Sequence, residues 1–461
     1  MMTPGVSQRL AQRTNTARPT WARDALARHA GFGLVLLLAA YLLTLNINLI
    51  WHSNHEDNGL AFESIAITQI RYGLGFTKGQ DFYDPTVNPP QYGADGIGPL
   101  GIDPATQFQY FLSGPTHPVI YGHHPPLLGL TVAASFLIFG YHYWSERLVP
   151  IVYTLGALVI FYLLMNLLFD PLIATFSAAL FAVFPITAYY GRDVAHEAPT
   201  LFWILGMMLC YALWTRTTRR RWLVALAVCV CVGAYYGWPM IYFAGILFAV
   251  ETLRSRSLHL GFLAATVGAA LAMFALIVYQ IYIAAGDSLW TLQAVAFTRS
   301  GGSVTGGDTL LGWLGHVMDS NRGDFGVWTW VAVPLAIGFL IAQGRRERLS
   351  PRLVVIIALA LGGLAHIAIW REAAYIHEYW QFYLIPFYAA AIGWAGVALA
   401  RRVSNLRGQE VAIVVALACV ALLLNAPLIY NLYAGGMPYG PAAAGLVIPT
   451  LPISPHWMSV W

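Results

Sequence analysis

From Ala30 to Ile50 the chain runs without a charged side chain, and runs of this kind recur almost to its end. An α-helix needs about 20 apolar residues to cross the ~30 Å hydrocarbon layer of a bilayer. Later segments that meet or approach this length lie at roughly 147–169, 172–190, 199–215, 222–237, 238–253, 258–283, 327–343, 353–370, 379–400 and 410–432. The 461 residues are 58% hydrophobic and 10% charged, with a mean hydropathy of +0.62. Soluble domains carry about 25% charged residues, so the composition excludes a soluble globular protein and gives no basic surface for nucleic acid. The chain reads as an all-α polytopic membrane protein of about eleven transmembrane helices. Its parts are a basic amino-terminal segment (1–29), a membrane domain (30–433) and an uncharged tail (434–461), with no separate soluble domain.

Charge sets the expected topology. Arg9, Arg13, Arg18, Arg23 and Arg28 precede the first run, whose exit at Asn48-Leu49-Ile50-Trp51 lacks a small-x-small cleavage pattern. It is therefore read as a retained helix with its amino terminus in the cytoplasm. Pro125 to Tyr141 is apolar but short, and parity decides its role. If it dips into or lies along the membrane without crossing, the arginines of 1–29, 216–221, 254–256, 345–352 and 401–407 all fall on one side. Those clusters hold most of the 25 basic residues, as the positive-inside rule expects for the cytoplasm. Most of the 21 carboxylates then face the exterior, where a long first loop (52–146), the turn 190–199, the loop 284–326 and the turn 371–378 collect. Tyr236-Gly237-Trp238-Pro239 splits one long apolar run into two helices. The four cysteines, Cys210, Cys229, Cys231 and Cys419, sit in apolar segments without metal or disulfide spacing.

Chemistry is expected at the exterior mouths. Glu56 and Asp57 follow the first span directly, and carboxylates at a membrane boundary are costly unless they pair, hydrate or act. Either suits a general base, while Asn54, Asp57 and Asn58 also suit a helix amino-cap. Ala61, Ile65, Ile67, Ile70 and Leu74 give an interfacial helix an apolar stripe, with Glu63, Gln69 and Arg71 on its polar side. Asp81, Asp84, Asp95 and Asp103 follow in a Pro- and Gly-rich loop without EF-hand spacing. His123 and His124 stand before Pro125-Pro126, where His124 suits an anionic head group; with neither Cys nor a third well-spaced His, zinc is not expected. Arg192, Asp193, His196 and Glu197 crowd one boundary turn, and Arg371, Glu372, His377 and Glu378 a second. Arg371, Arg299 and Lys78 are exterior cations, and a planar guanidinium engages two phosphate oxygens at once.

Four stretches together resemble the GT-C superfamily of membrane glycosyltransferases, in its protein-mannosyltransferase-like and aminoarabinose-transferase-like branch. They are Glu56-Asp57; Tyr72-Gly73-Leu74-Gly75; His123-His124-Pro125-Pro126-Leu127-Leu128 with Phe139-Gly140 and Arg147-Leu148; and Arg192-Asp193-Val194-Ala195-His196-Glu197. They cover about residues 30–215. The resemblance implies inverting transfer of a sugar from a polyprenyl-phosphate donor to a hydroxyl acceptor (glycan, lipid or protein) at the exterior face of the cell membrane. It makes Asp57 the first-loop catalytic carboxylate, a register Glu56 also fits. His124 takes the place of a basic residue near the donor phosphate, Asp193 or Glu197 the second acidic position, and Arg371 that of a late phosphate-binding cation. No cofactor is required by such a reaction; a divalent ion at Glu56 and Asp57 is chemically allowed but not expected. The missing carboxyl-terminal soluble domain departs from the pattern and leaves acceptor recognition to the loops. A transporter or a lipid-binding membrane protein is the alternative.

Overall fold

The structure, a computed structural model, describes residues 20–48, 57–83, 118–286, 288–302, 310–326, 334–335, 337–339, 341–342, 344, 349–404 and 408–434. Glu56, the loop carrying Asp84, Asp95 and Asp103, most of the expected 327–343 span and the tail from 435 lie outside these residues.

Every other expected span coincides with helix. In chain order these helices are α1 (Thr20–Thr44), α2 (Asp57–Thr77), α3 (Leu127–Phe139), α4 (Tyr143–Leu168), α5 (Pro171–Val183), α6 (Pro185–Tyr190), α7 (Glu197–Thr217), α8 (Arg220–Tyr236) and α9 (Pro239–Ser255). α10 (Leu260–Ala284) contains a π-helical turn at Ala264–Gly268. Then come α11 (Trp290–Phe297), α12 (Leu310–Phe325), α13 (Pro351–Ile369), α14 (Arg371–Ile376), α15 (Glu378–Val403, opening as a 3-10 helix) and α16 (Gln409–Ala434). Six of the helices are long and apolar enough to cross a membrane by length and composition. The chain is a multi-pass membrane protein.

Local chemistry places the breaks. Asp170 caps α5, its Oδ1 accepting from Leu172 N at 3.0 Å and Ile173 N at 3.1 Å, with Pro171 in the first turn. Ser350 and Pro351 open α13 the same way. The expected split at Gly237-Trp238 is present between α8 and α9. Two expectations are corrected. The 172–190 segment is not one helix, because Phe184 turns extended (φ −62°, ψ 133°) before Pro185. The 284–326 loop is largely helical, as α11 and α12. A short antiparallel pair, β1 (Phe82–Tyr83) with β2 (Val119–Ile120), also departs from a purely α reading.

α15 lies at the centre, with 72% of its most apolar window buried, and α16 at the periphery with 22%. Glycines let the central helices approach closely: a β-carbon on Gly393 of α15 would sit 2.1 Å from Ser177 Oγ of α5. The contacts define two ends. At one, Arg401 bonds Asp170 at 3.0 Å, Arg352 lies over Phe169, and Arg254 grips Glu251 with two 2.6 Å bonds. At the other, Arg147 Nη1 donates to the Ile47 carbonyl at 3.0 Å and Trp238 Nε1 to the His123 carbonyl at 2.8 Å. The turns that carry Arg254, Arg352 and Arg401 thus lie away from the candidate site.

α2 and α3 form a floor beneath that site with their own apolar cluster, including Phe62, Ile65, Leu128, Val132 and Phe136. The 13 residues of α3 span about 20 Å, short of the ~30 Å hydrocarbon layer. Gly140 (φ 85°) ends it and returns the chain into α4. The amphipathic reading of α2 is corrected: Glu63 and Gln69 are buried, while Leu74 is exposed. The turn after α3 and the last residue of α2 supply the reason. Tyr141 OH donates to Glu63, and Thr77 Oγ1 donates to Gln69 Oε1 at 2.7 Å.

Candidate active site

Asp57 is the first residue of α2, and its neighbour Asn58 shows where that helix start is anchored. Asn58 Nδ2 donates to Asp193 Oδ2 at 3.0 Å and stands 3.4 Å from the Tyr379 hydroxyl. Three exterior segments expected from the sequence therefore meet at one residue: the first loop, the 190–199 turn and the start of α15.

The 190–199 turn is not a hydrated surface loop. Arg192, Asp193, His196 and Glu197 are all buried. Thr154 Oγ1 of α4 pins the turn by donating to the Gly191 carbonyl at 2.6 Å, and a β-carbon on Gly191 would collide with the Thr187 carbonyl at 2.3 Å. Arg192 donates to the Leu45 carbonyl and lies 4.4 Å from the Tyr433 ring. The guanidinium thus ties the end of α1, the turn and α16 together.

His196 Nδ1 lies 2.6 Å from the Tyr236 carbonyl. A nitrogen facing a carbonyl must carry the hydrogen, so the lone pair sits on Nε2, which is buried. The ring stacks on His124 at 4.5 Å and 11°. His124 in turn stacks on Tyr121 at 5.6 Å and lies 4.6 Å from His123. Burial first, then the Arg299 and His196 charges, hold His123 well below the usual imidazole range. Burial does the same for His124, followed by His196, His123, Arg299 and His377. Burial also lowers His196 to about 4, against the opposing effect of its bond to Tyr236. At neutral pH these three rings are uncharged donors and acceptors.

The permanent cations stand beside them. Arg299, on the π-helical turn Thr298–Gly302, lies within electrostatic reach of His123 and His124. Arg371 borders the same turn: a β-carbon on Gly301 would lie 3.6 Å from its Nε. Trp313 Nε1 holds the Arg371 carbonyl at 3.0 Å. Glu378 accepts from Tyr190 OH, and the rings of His377 and Tyr379 lie 5.3 Å apart. Lys78 is the exception among the expected residues. It is exposed, its Nζ donates to the Gly75 carbonyl at 2.7 Å, and it is not drawn to the group.

Several contributors were not singled out from the sequence. Asn58 had a signal, but as a helix cap. Tyr379 and Tyr236 lie in segments where aromatics ordinarily form interfacial belts. Asp324 of α12 is buried beside Glu378, and burial followed by the Glu378 charge raises its carboxyl well above the ordinary range. Among the described residues no group of three or more His, Cys, Asp or Glu is arranged to hold a metal ion.

Known proteins agree with this architecture. Residues 123–280, which begin at the histidine turn, match the family model described as dolichyl-phosphate-mannose-protein mannosyltransferase. No curated protein matches the chain by sequence. Among solved structures, ArnT from Cupriavidus metallidurans bound to undecaprenyl phosphate is similar at a TM-score of 0.58 and 15% identity, over 88% of this chain and 73% of that one. The Archaeoglobus fulgidus oligosaccharyltransferase in complex with Zn and sulfate is similar at 0.55 and 15%, over 88% of this chain and 53% of that one. The chain therefore spans about half the length of the second of these. The fold is shared with these two proteins, as the resemblance drawn from the sequence motifs implies.

Proposed function

We propose that the chain is an inverting glycosyltransferase that moves a sugar from a polyprenyl-phosphate donor to a hydroxyl acceptor at the exterior face of the membrane. The observation that carries the reading is the Asn58–Asp193 hydrogen bond, 3.0 Å long. It brings the helix that begins at Asp57 to the same mouth as the stacked His124–His196 pair, Arg299 and Arg371.

Asp57, or Glu56 in its place, takes the proton of the acceptor hydroxyl. The freed oxygen attacks the anomeric carbon from the face opposite the phosphate, and the bonding pair of the broken C–O bond leaves on the phosphate oxygen. Arg299 and Arg371 counter the charge gathering on that oxygen, an effect worth most where water is excluded. His124, neutral in the empty site, donates an N–H; a bound phosphate beside it favours its charged form, so donor binding draws a proton from solution. Asp193 and His196, with Glu197 and His377 close by, shape the acceptor side. Glu378, tied to Tyr190, supports that side from α15. Lys78 has no part in this arrangement. A lipid phosphate leaves without acid assistance, so the scheme needs no cofactor or metal.

The testing experiment incubates the purified chain with polyprenyl-monophosphate sugars and acceptor-containing membranes and measures release of the polyprenyl phosphate. Sugar transfer coupled one-to-one to that release supports the reading. Release of sugar to water alone, or binding without turnover across the donor panel, counts against it and favours a lipid-binding role.

A further inference from the structure

Behind the histidine turn lies a buried carboxylate that the proposed chemistry does not use. Asp81 follows α2 and leads into β1, and it is 0% exposed, as is Gln80. Its main-chain carbonyl accepts from Tyr121 N at 2.7 Å, so it sits directly under the Tyr121–His124 segment. Its carboxylate rests on the first turn of α3: a β-carbon on Gly129 would lie 2.4 Å from Asp81 Oδ1. Among the described residues neither carboxylate oxygen has a hydrogen bond of ordinary geometry, Gln69 being the amide within its reach; neither amide atom of Gln80 has a partner there, nor does Oε1 of Gln280. Gln280, on α10, donates through Nε2 to the Tyr235 hydroxyl of α8 at 3.0 Å. A β-carbon on Gly79 would lie 4.0 Å from that Nε2, which places α10 against the same loop.

A charged group buried without a partner is strongly disfavoured, so it takes a proton or a counter-ion. The chain supplies no counter-ion from this loop, since no Lys or Arg occurs between Lys78 and Arg147. Lys78 itself points out, and Arg147 is committed to the Ile47 carbonyl. The first turn of α3 favours negative charge at its end. The unsatisfied atoms are mainly oxygens, of carboxylate and carboxamide type, which are hard donors. With one carboxylate, a monovalent ion leaves the buried site neutral, whereas a divalent ion leaves a net charge there.

We infer that Asp81, together with Gln280 and the amide oxygens of the α2–β1 loop, binds a monovalent hard cation of the sodium type. The ion joins the first loop to α8 and α10 and stiffens the platform under His123 and His124. This site does not depend on the transferase reading.

The test is thermal unfolding of the purified full chain in detergent, with choline chloride replaced stepwise by sodium chloride at constant ionic strength. The midpoint temperature is expected to rise saturably with sodium. Asp81→Asn should abolish that dependence and unfold higher than the parent in choline, having lost the uncompensated charge. Gln280→Leu should move the half-saturating sodium concentration upward by roughly tenfold, the loss of about one good ligand at ~1.4 kcal/mol. If Asp81→Asn does not fold, the parent and Gln280→Leu titrations decide. A parent midpoint equal in choline and sodium overturns the inference, as does an Asp81→Asn curve that follows the parent; either outcome assigns Asp81 a proton or a trapped water instead.

Discussion

Replacing Asn58 examines how the first loop is held to the rest of the site. Its Nδ2 stands 3.0 Å from Asp193 Oδ2, a bond to a carboxylate in a buried turn. Hydrogen bonds to charged groups contribute about 1.5–3 kcal/mol. Asn58→Leu, which keeps the shape and removes the donor, should therefore lower kcat/KM by roughly 10- to 150-fold if the bond sets the position of Asp57. Asn58→Asp goes further, setting two carboxylates about 3 Å apart. At an effective dielectric of 20 their repulsion is on the order of 5 kcal/mol, so one of the two must stay protonated. The expected order of activity is parent, then Asn58→Leu, then Asn58→Asp. The aspartate variant should recover part of its activity as the pH is lowered, and the leucine variant should not. The assay is initial-rate sugar transfer in membranes, with detergent melting curves to show that each variant is folded. Equal activity of parent and Asn58→Leu would refute the positioning role, and so would an aspartate variant as active as the leucine one at neutral pH.

Three further outcomes follow from the same geometry. Arg371→Ala should raise the donor KM by more than tenfold and leave the acceptor KM within about twofold, as for loss of one charge-assisted bond; equal changes in steady-state kinetics would remove Arg371 from the phosphate. His196 is held at about 4 against an ordinary 6.5, so the unfolded chain binds the extra proton between these values. Stability is then complete above pH 6.5 and is lost as the pH falls, by about 2 kcal/mol at pH 5 from this residue alone. His123 and His124 act in the same direction. His196→Gln should flatten the pH dependence of the melting temperature, and an unchanged slope would contradict the buried neutral imidazole. Cysteines placed at Asp95 and Thr305 should label in intact cells, and one at Thr218 only after permeabilisation; the reverse pattern would invert the topology.

Much of the architecture is legible in the chain because membrane crossing is a local property. Apolar run length locates the helices, and Asp170-Pro171, Ser350-Pro351 and Gly237-Trp238-Pro239 mark breaks that depend on neighbouring residues alone. The break at Phe184-Pro185 escaped that reading because apolar residues continue on both sides of it. Glu63 and Gln69 were misplaced for a different reason. Polarity indicates which face of a helix meets water only when one face does, and α2 is covered by α3 and by its own following loop. The site itself rests on contacts between distant residues. Asn58 and Asp193 are 135 positions apart, Asn58 and Tyr379 are 321, and no periodicity encodes such a meeting. What the sequence did offer was charge in expensive places: Arg192, Asp193, His196 and Glu197 at a membrane boundary, and Arg371 opposite them. The structure brings these together with the histidine turn and leaves Lys78 aside, since its own helix end supplies the acceptor its ammonium needs.

In the proposed transfer a carboxylate at the start of α2 removes the acceptor proton. Single-turnover transfer from a polyprenyl-monophosphate sugar by Asp57→Asn, beside Glu56→Gln, tests it most directly. Asp57→Asn should slow transfer by at least about 100-fold, the lower end of what general-base catalysis contributes, with donor binding and melting temperature unchanged. Glu56→Gln should retain most activity. Transfer by Asp57→Asn at the parent rate would show that this carboxylate is not the base.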